Sequence, residues 1–504
     1  MPRNLWSGLC LSSLLAVLST LSGCINSQGI LPQALRLNDD KLLTDKPIRK
    51  AARKAEWPRD QWWQAYGDPQ LNAWVELALA DSPDLATAAA RVRQAMAMAG
   101  VAESEHAPQV KFDASVQRKH WPADQYFYGP GLLGDTTGWN NTSSLGMNYD
   151  LDLWGRLHSD TERALSLAEL AATEERAAAL ELQSNVVSAY IQLALHHARL
   201  DIAEAELRQR EQLLELARER LAIGIGTQLE ISEAEAPLPE AHRRIDLIHE
   251  AIALTRNQLA ALAGKGPGEG ARLERPKLSL HGEPALPSNL PLELLGRRPD
   301  VVARRWQVAA EARGIEVAKA DFYPNVNLVA FLGSGSTTGD VLNFLTNGSK
   351  LTYGIGPTLS LPVFDGGRRR GKLGAATAAY DIAVEQYNRT LVEALRGVSD
   401  QLIRLHSLHE QEIFVGHGLE TAERRYKLAE EAYQRGLTDY RRVLEAQSAL
   451  FDQQFLEQQV HAEHLTAQAG LWVALGGGVL TEDRGPATEQ LDAHEISLHL
   501  PGRH

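Results

Sequence analysis

The stretch from Leu351 to Arg368 reads LTYGIGPTLSLPVFDGGR, and it joins a strand pattern to the start of a helix. Apolar side chains recur with a period of two, which is typical of a β-strand with one apolar face, at Leu351, Tyr353, Ile355, Leu359 and Leu361. Residues 368–435 then contain no proline, and their apolar residues follow the alternating three- and four-residue spacing of a coiled coil. The stretch therefore predicts a strand that passes through a glycine turn into a long helix.

The same arrangement occurs earlier in the chain, which indicates an internal repeat. At an offset of 212 residues, Gly155 pairs with Gly367, Gly224 with Gly436, Glu233 with Glu445, and Gly264 with Gly476. Near the start of each copy, Ser82-Pro83-Asp84 pairs with Arg298-Pro299-Asp300. We therefore interpret residues 68–264 and 284–476 as two copies of one unit, with residues 265–283 as a linker or equatorial segment and residues 477–504 as a polar tail.

Each copy has the same predicted order of helix, β-hairpin, long helix and short helix. The hairpins cover residues 109–155 and 325–367, with polar, Gly-rich connections at residues 121–140 and 334–350. The long helices cover residues 155–221 and 368–435, which corresponds to about 100 Å at 1.5 Å per residue. The short helices, at residues 83–107 and 227–263 and at residues 299–323 and 438–475, together match one long helix in length.

The predicted strands impose an oligomer. Each has about ten residues, which is enough to cross a bilayer at a tilt. Four strands cannot close a barrel, and an open edge in lipid leaves unpaired N–H and C=O groups. Two chains give eight strands and a filled interior, whereas three give twelve strands and a lumen. The predicted fold is a trimeric 12-stranded transmembrane β-barrel, four strands per chain, continued by an α-helical coiled-coil tunnel; a solvated helical bundle with a separate sheet is the alternative.

The amino terminus resembles a bacterial lipoprotein signal. Arg3 precedes the short apolar stretch 9–21, which leads to the lipobox string Leu-Ser-Gly-Cys ending at Cys24. Residues 1–23 are the predicted signal peptide, Cys24 the predicted lipidation site, and residues 24–67 a lipid-anchored segment; an ordinary signal peptide with a chance cysteine is the alternative. Ile25, in place of the Asp that signals inner-membrane retention, favours the outer membrane.

Composition and motifs exclude several functions. With 51 Lys+Arg against 64 Asp+Glu and a net charge of −13, the chain lacks the basic excess of a nucleic-acid binder. Two cysteines cannot supply a disulfide framework or a four-thiolate zinc site. The histidine pairs His406/His409 and His461/His464 lack acidic or thiol neighbours at ligand spacing along the sequence. We expect no enzyme activity, no metal, and no cofactor apart from a covalent lipid on Cys24.

Several motifs are similar to those of the outer-membrane factor family, the TolC-like and NodT-type efflux lipoproteins. They occur in the family's order from about residue 57 to residue 479: Trp62-Trp63, Gly67-Asp68-Pro69, residues 149–156 (YDLDLWGR), Arg297-Arg298-Pro299-Asp300, Phe322-Tyr323-Pro324, residues 362–368 (PVFDGGR) and residues 474–478 (ALGGG). The resemblance implies a trimer that docks a periplasmic adaptor and an inner-membrane pump. It also implies an outer-membrane location with extension into the periplasm, and passive efflux of drugs or other small toxic molecules. The alternatives are a conduit for type I protein secretion and a non-conducting periplasmic coiled-coil scaffold lipoprotein.

The resemblance also implies a gate where each long helix turns into the next short one. The glycines Gly224 and Gly436 suit a left-handed turn after a helix end. The candidate gate residues are Tyr433, Gly436, Asp439, Arg441, Arg442, Glu445, Gly224, Gly226 and Glu233. We expect Glu445 to form an acidic ring, with Arg441 or Arg442 pairing with Glu445 or with an acid on a neighbouring helix; arginines on a solvated face are the alternative.

A basic cluster opens the second long helix, at Arg368, Arg369, Arg370 and Lys372. Cations at a helix start oppose the helix dipole, so another interaction must favour them. At the inner rim of a barrel, that interaction is with lipid phosphates or with acids of a neighbouring protomer; a solvated cluster is the alternative.

Overall fold

The computed structural model describes residues 27, 29–37, 60–122, 136–280, 298–336 and 351–478. The predicted signal peptide, Cys24 and the tail beyond residue 478 lie outside these residues. So do residues 123–135 and 337–350, which belong to the two predicted hairpin connections.

Nine helices are found in the described part of the chain. The long ones are α3 (Arg156–Ala222) and α8 (Arg368–Gln434), each of 67 residues. The others are α1 (Pro69–Asp81), α2 (Pro83–Ser104), α4 (Gln228–Glu235), α5 (Leu238–Leu262), α6 (Pro267–Gly270), α7 (Pro299–Ala320) and α9 (Tyr440–Ala474), and a 3₁₀ turn spans Trp62–Tyr66. No described helix has the length together with the apolarity that a bilayer crossing requires.

Four strands form one antiparallel sheet in the order β1 (Gln109–Trp121), β2 (Thr136–Asp150), β3 (Asn325–Ser336) and β4 (Leu351–Ser360). The register places Phe112 opposite Leu145, Leu145 opposite Leu332, and Leu332 opposite Tyr353. Because side chains alternate between faces, this row belongs to one apolar face that crosses all four strands. The face is uncovered within the chain: Phe112 is 66% exposed and Tyr353 is 79% exposed.

The two repeats are interlocked. Helix α3 of the first copy contacts α2 and α5 of its own copy, and also α7 and α9 of the second copy. Helix α7 in turn contacts α8, and α9 contacts α8 along the other part of its length. Half-length helices of both copies therefore lie beside α3, whereas α8 is flanked by α7 and α9 of its own copy. Two apolar clusters along α3 contain residues of both copies.

The structure corrects one predicted helix and the extents of two strands. The predicted helix at residues 227–263 is broken into α4 and α5 at Pro237, which lacks an N–H and whose ring clashes with the preceding turn. Thr136–Asn140, predicted as connection, belongs to β2, because Asn140 pairs with Gln117 and Thr136 with Trp121. Similarly, β3 continues to Ser336. The alternation of apolar residues ends before the strands do, because backbone hydrogen bonds continue the pairing through polar residues.

Asp68 joins the start of α1 to two distant segments. One carboxylate oxygen accepts a hydrogen bond from the Gln70 N–H at 2.9 Å. The other accepts from the Tyr190 hydroxyl of α3 at 2.8 Å and from the Lys277 N–H at 2.7 Å. Asp68 is only 4% exposed and its bond to Tyr190 is buried, so the Tyr190 hydroxyl has little access to water as a substitute acceptor. The contacts attach the segment after α6 to the middle of the helical body.

We predict that Asp68→Ala lowers the free energy of unfolding by about 3 kcal/mol, because it removes a helix cap and the acceptor of the buried Tyr190 hydroxyl. Thermal unfolding followed by circular dichroism at 222 nm measures the change. Asp60→Ala is the matched control, since Asp60 is exposed and carries the same charge. Equal melting temperatures for the two variants would contradict the assigned role of Asp68.

Candidate functional site

Two glycine turns lie at the end of the helical body away from the sheet. Gly224 follows α3 with φ 79°, and Gly436 follows α8 with φ 74°, so both adopt the left-handed conformation that their sequence position predicts. The next helix is capped in each copy. The Thr227 hydroxyl accepts from the Glu230 N–H at 3.2 Å, and the Asp439 carboxylate accepts from the Arg442 N–H at 3.1 Å.

Four residues, Arg220, Glu230, Tyr433 and Tyr440, form what we call the tip cluster. The Tyr433 hydroxyl donates to the Glu230 carboxylate at 3.2 Å, and the Arg220 guanidinium lies 4.5 Å from the centre of the Tyr433 ring. Arg220 Nε is 3.9 Å from Glu230 Oε2, an ion-pair distance longer than a hydrogen bond. The rings of Tyr433 and Tyr440 meet edge to face at 5.6 Å. The cluster joins the two copies, since Arg220 and Glu230 belong to the first and both tyrosines to the second.

Burial controls the chemistry of the cluster. Tyr433 and Tyr440 are each 1% exposed. Burial, together with the nearby Glu230 carboxylate, raises the pKa of Tyr433 to about 12. The phenol therefore stays protonated at physiological pH and can donate its hydrogen bond to Glu230. The pKa of Tyr440 is also raised, first by burial and to a smaller extent by neighbours that include Glu233.

The predicted gate residues separate into two groups. Tyr433 lies in the tip cluster, whereas Arg441 and Arg442 contact Glu445 on the same helix, at 3.3 and 3.1 Å. Both arginines are exposed, and these pairs join no two helices of the chain. An arginine therefore pairs with Glu445, as the sequence predicts. The role of that pair in closing the channel stays a prediction.

Arg220 and Glu230 were not among the candidates predicted from sequence. Their opposite charges on the two sides of the turn at Gly224 and Gly226 are the one feature of the local sequence that indicates an interaction between them. Their connection to Tyr433, about two hundred residues away, has no counterpart in sequence spacing.

A buried ion cluster lies farther along α3 from the tip. Glu206 is 3% exposed and accepts from Arg210 of the same helix at 2.9 Å and from Arg244 of α5 at 3.0 Å. Removing one partner of such a cluster leaves an uncompensated buried charge, which is strongly destabilising. The cluster therefore holds α5 to α3 and stabilises the first copy as one unit.

The basic cluster at the start of α8 lies at the opposite end, beside the sheet. Arg369 is buried, pairs with Asp365 at 2.8 Å and donates to the Pro362 carbonyl at 2.5 Å. Lys372 pairs with Asp321 at 3.1 Å. Acids of their own chain therefore pair with these two cations, although Arg369 Nη1 has no hydrogen-bond partner among the described residues. A lipid or neighbouring-protomer partner for the cluster stays a prediction. Arg368 and Arg370 are exposed.

Within the described residues, no group of three or more His, Cys, Asp or Glu side chains is arranged to hold a metal ion. His464 of α9 instead contacts the Glu412 carboxylate of α8 at 2.8 Å, and His461 lies 3.9 Å from the same carboxylate. These contacts join two helices. Sequence spacing missed them because the acid lies on another helix.

We predict that Gly226→Ala loosens the turn beside Arg220. An added Cβ would lie 2.8 Å from the Leu221 nitrogen, so the backbone must move, at a cost of about 1–3 kcal/mol. Hydrogen exchange of residues 220–230 measures the effect, and exchange should be faster than in the parent protein. Gly416→Ala is the control, since its Cβ meets nothing within 4 Å. Unchanged protection in Gly226→Ala would show that the turn is not constrained in this way.

Comparisons of the sequence and of the structure with known proteins both identify outer membrane efflux proteins as relatives. A sequence model of the family described as "Outer membrane efflux protein" matches residues 74–265 and 290–477. The Fusaric acid resistance protein FusA of Burkholderia cepacia is 43% identical over 488 residues, covering 95% of this chain and 90% of that protein. The Multidrug resistance outer membrane protein MdtP of Escherichia coli (strain K12) is 28% identical over 492 residues, covering 96% and 99% of the two chains.

A solved structure extends the comparison to the fold. The outer membrane protein VceC of Vibrio cholerae superposes with a TM-score of 0.77 at 33% identity, covering 84% of this chain and all of that chain (100%). The matched family regions contain the long helices, the sheet and both glycine turns. The chain therefore belongs to the family of outer membrane efflux proteins.

Proposed function

We propose that three copies of this chain form the outer-membrane channel of a tripartite efflux system and passively conduct small molecules out of the cell. One observation carries the proposal: an exposed apolar face crosses a four-stranded sheet whose two edge strands, β1 and β4, each have one described neighbour. Three such sheets joined edge to edge give twelve strands, which is wide enough for a lumen.

The helices extend the proposed channel away from the membrane. Helices α3 and α8 both begin one residue after the glycine turns that follow β2 and β4, and each has 67 residues. At 1.5 Å per residue they reach about 100 Å from the sheet. With three chains, six long helices flanked by pairs of half-length helices enclose a tunnel whose far end carries the tip clusters.

Planar lipid bilayers test this function. Purified protein should insert and give discrete single-channel currents, because a twelve-stranded barrel leaves an aqueous path. A coiled-coil scaffold without a pore gives no current under the same conditions. Absence of current from protein shown to be trimeric and folded would contradict the channel.

We further propose that the tip cluster holds the periplasmic end closed. Glu230 is joined to Tyr433 by a hydrogen bond and to Arg220 by charge, so it connects the turn of the first copy to the end of α8 in the second. The Arg220 guanidinium also donates to the Tyr433 carbonyl at 3.4 Å. Separation of α8 and α9 from α3 and α4 must break these contacts. Such a movement would widen the tip.

We predict that Glu230→Gln and Tyr433→Phe raise the open probability in planar bilayers about tenfold each, since a hydrogen bond to a charged group contributes about 1.5–3 kcal/mol. The double variant should show less than the sum of the two free-energy changes, because both remove the same contact. Glu235→Gln is the control: its partner Arg218 lies in the same copy, 3.1 Å away at an exposed position. Equal open probabilities in Glu230→Gln and Glu235→Gln would exclude a lock at this contact.

We also propose that the three Glu445 side chains of a trimer form an acidic ring, with Arg441 and Arg442 limiting its charge. We predict that both Glu445→Ala and Arg442→Ala change single-channel conductance, the first by removing the ring and the second by exposing its charge. Glu420→Ala removes a comparable in-helix pair with Arg424, 2.8 Å apart and distant from the tip in sequence, and should leave conductance unchanged. Unchanged conductance in both tip variants would contradict the ring.

We propose that Cys24 carries the lipid anchor. The segment that follows it lies against α8, where the Gln33 and Ala34 N–H groups donate to Asp381 at 2.9 Å and Leu37 N–H donates to Asn388 at 2.9 Å. Asp381 lies 13 residues into α8, about 20 Å from its start beside the sheet. The nine residue-to-residue steps from Cys24 to Gln33 span up to about 30 Å, so the anchor can reach the membrane face of the barrel.

We predict that Cys24→Ala abolishes incorporation of radiolabelled palmitate into the protein, because the thiol is the proposed attachment atom. The other cysteine offers a matched control: Cys10→Ala, within the predicted signal, should keep full labelling. Label retained in Cys24→Ala would contradict lipidation at this residue.

We propose a periplasmic adaptor and an inner-membrane pump as partners, and small toxic compounds as substrates. Support comes from the relatives, whose names refer to fusaric acid resistance and multidrug resistance. Deletion of this chain should increase sensitivity to such a compound, and the wild-type chain should restore resistance. Sensitivity unchanged by deletion would contradict the substrate class.

A further inference from the structure

A cavity of about 250 Å³ lies where the sheet meets the helices. The end of β2, the start of β3, the end of α7 and the first turn of α8 all contribute to its wall. Trp154 and Tyr323 stack at 4.7 Å on its apolar side, and the Trp154 indole N–H donates to the Pro324 carbonyl at 2.8 Å. The wall is thus built from both repeats and is braced by an aromatic pair.

The acids of the cavity wall are compensated within the chain. Asp150 pairs with Arg156 at 3.3 Å. Asp152 accepts from the Leu157 and His158 N–H groups at 3.0 and 2.9 Å, at the start of α3. Asp321 pairs with Lys372 at 3.1 Å. Asp150 and Asp321 therefore each pair with a cation of the chain, and Asp152 caps the start of α3.

Two arginines of the same wall keep unused donors. Arg369 is 4% exposed, and its Nη1 has no hydrogen-bond partner among the described residues, although its Nε pairs with Asp365 at 2.8 Å. Arg368 is exposed, and within the described part of the chain its guanidinium has no ion pair or hydrogen bond. A buried, unpartnered guanidinium nitrogen costs free energy unless an acceptor reaches it.

The unused donors of Arg368 and Arg369 point to an anionic ligand. We propose that this cavity binds a phosphate group, with Arg368 and Arg369 as its principal donors and the phosphate of an anionic phospholipid as its source. Arginine is suited to phosphate because its planar guanidinium offers several donors in a fixed geometry.

The lipid source depends on the proposed position of the sheet in the bilayer, whereas phosphate binding does not. The cavity lies at the helix-side end of the strands, where a barrel in the membrane meets the periplasmic leaflet. A headgroup there places its phosphate at the cavity and leaves its acyl chains beside the apolar face of the sheet. The bound lipid would join the barrel to the leaflet at each protomer.

Native mass spectrometry of delipidated trimers tests the proposal, with phosphatidylglycerol as the lipid probe, diacylglycerol of the same chains as the phosphate-free probe, and inorganic phosphate as competitor. Wild-type protein should bind phosphatidylglycerol in preference to diacylglycerol, and phosphate should compete. Arg368→Gln should weaken phosphatidylglycerol binding about tenfold. Arg404→Gln, an exposed arginine on the same helix far from the cavity, should bind like the wild type.

The outcomes separate the sources. Binding of inorganic phosphate alone, lost in Arg368→Gln, supports a phosphate site with a free ion as its source. Equal affinity of wild type and Arg368→Gln for both probes overturns the proposal. Dissociation of Arg368→Gln trimers without loss of phosphate binding also overturns it, and assigns Arg368 to an acid of the neighbouring protomer. Channel currents measured on the same samples report the proposed function separately.

Discussion

The two open edges of the sheet are the constraint on which the rest of the structure depends. Strands β1 and β4 each pair on one side within the described chain, while an apolar face runs across the sheet. In lipid, unpaired backbone groups cost several kcal/mol each, so the chain is incomplete alone and requires further copies. The family places the chain in the outer membrane, where pairing of the two edges with neighbouring copies converts an open sheet into a channel wall.

The two repeats are held together by contacts between their helices. Because α3 packs against α7 and α9 of the other copy, the first repeat shares part of its core with the second. Within the first copy, the buried Glu206 cluster fixes α5 to α3. Contacts between copies at the far end are concentrated in the tip cluster and its apolar surroundings, Leu213, Leu214 and Val443 among them. A channel opened by relative movement of the two helix pairs would therefore depend on few polar contacts.

Sequence predicted the large-scale organisation well because its signals are long. The coiled-coil spacing located the second 67-residue helix and the repeat located the first, each to within a residue or two at both ends, and the fold class and family are confirmed. Pro237 indicates the break between α4 and α5, but the apolar residues on both sides of it keep a helical spacing, so the sequence predicted one continuous helix. The contacts of Glu230 with Tyr433 and of Lys372 with Asp321 depend on tertiary packing, since the partners lie far apart in sequence and meet only in the folded chain. The roles of Cys24 and of the acidic ring stay predictions.

Cross-linking of the edge strands tests the central claim most directly. Positions 115 and 352 lie on edge strands β1 and β4, three strand spacings apart, or about 14 Å, which is too far for a disulfide within one chain. Ser115→Cys combined in turn with Thr352→Cys or Thr358→Cys should give covalent dimers and trimers under oxidation, and nothing larger. A ladder that continues to four or more copies, or no cross-linked species from any pair in folded membrane-inserted protein, would contradict a closed barrel of three chains.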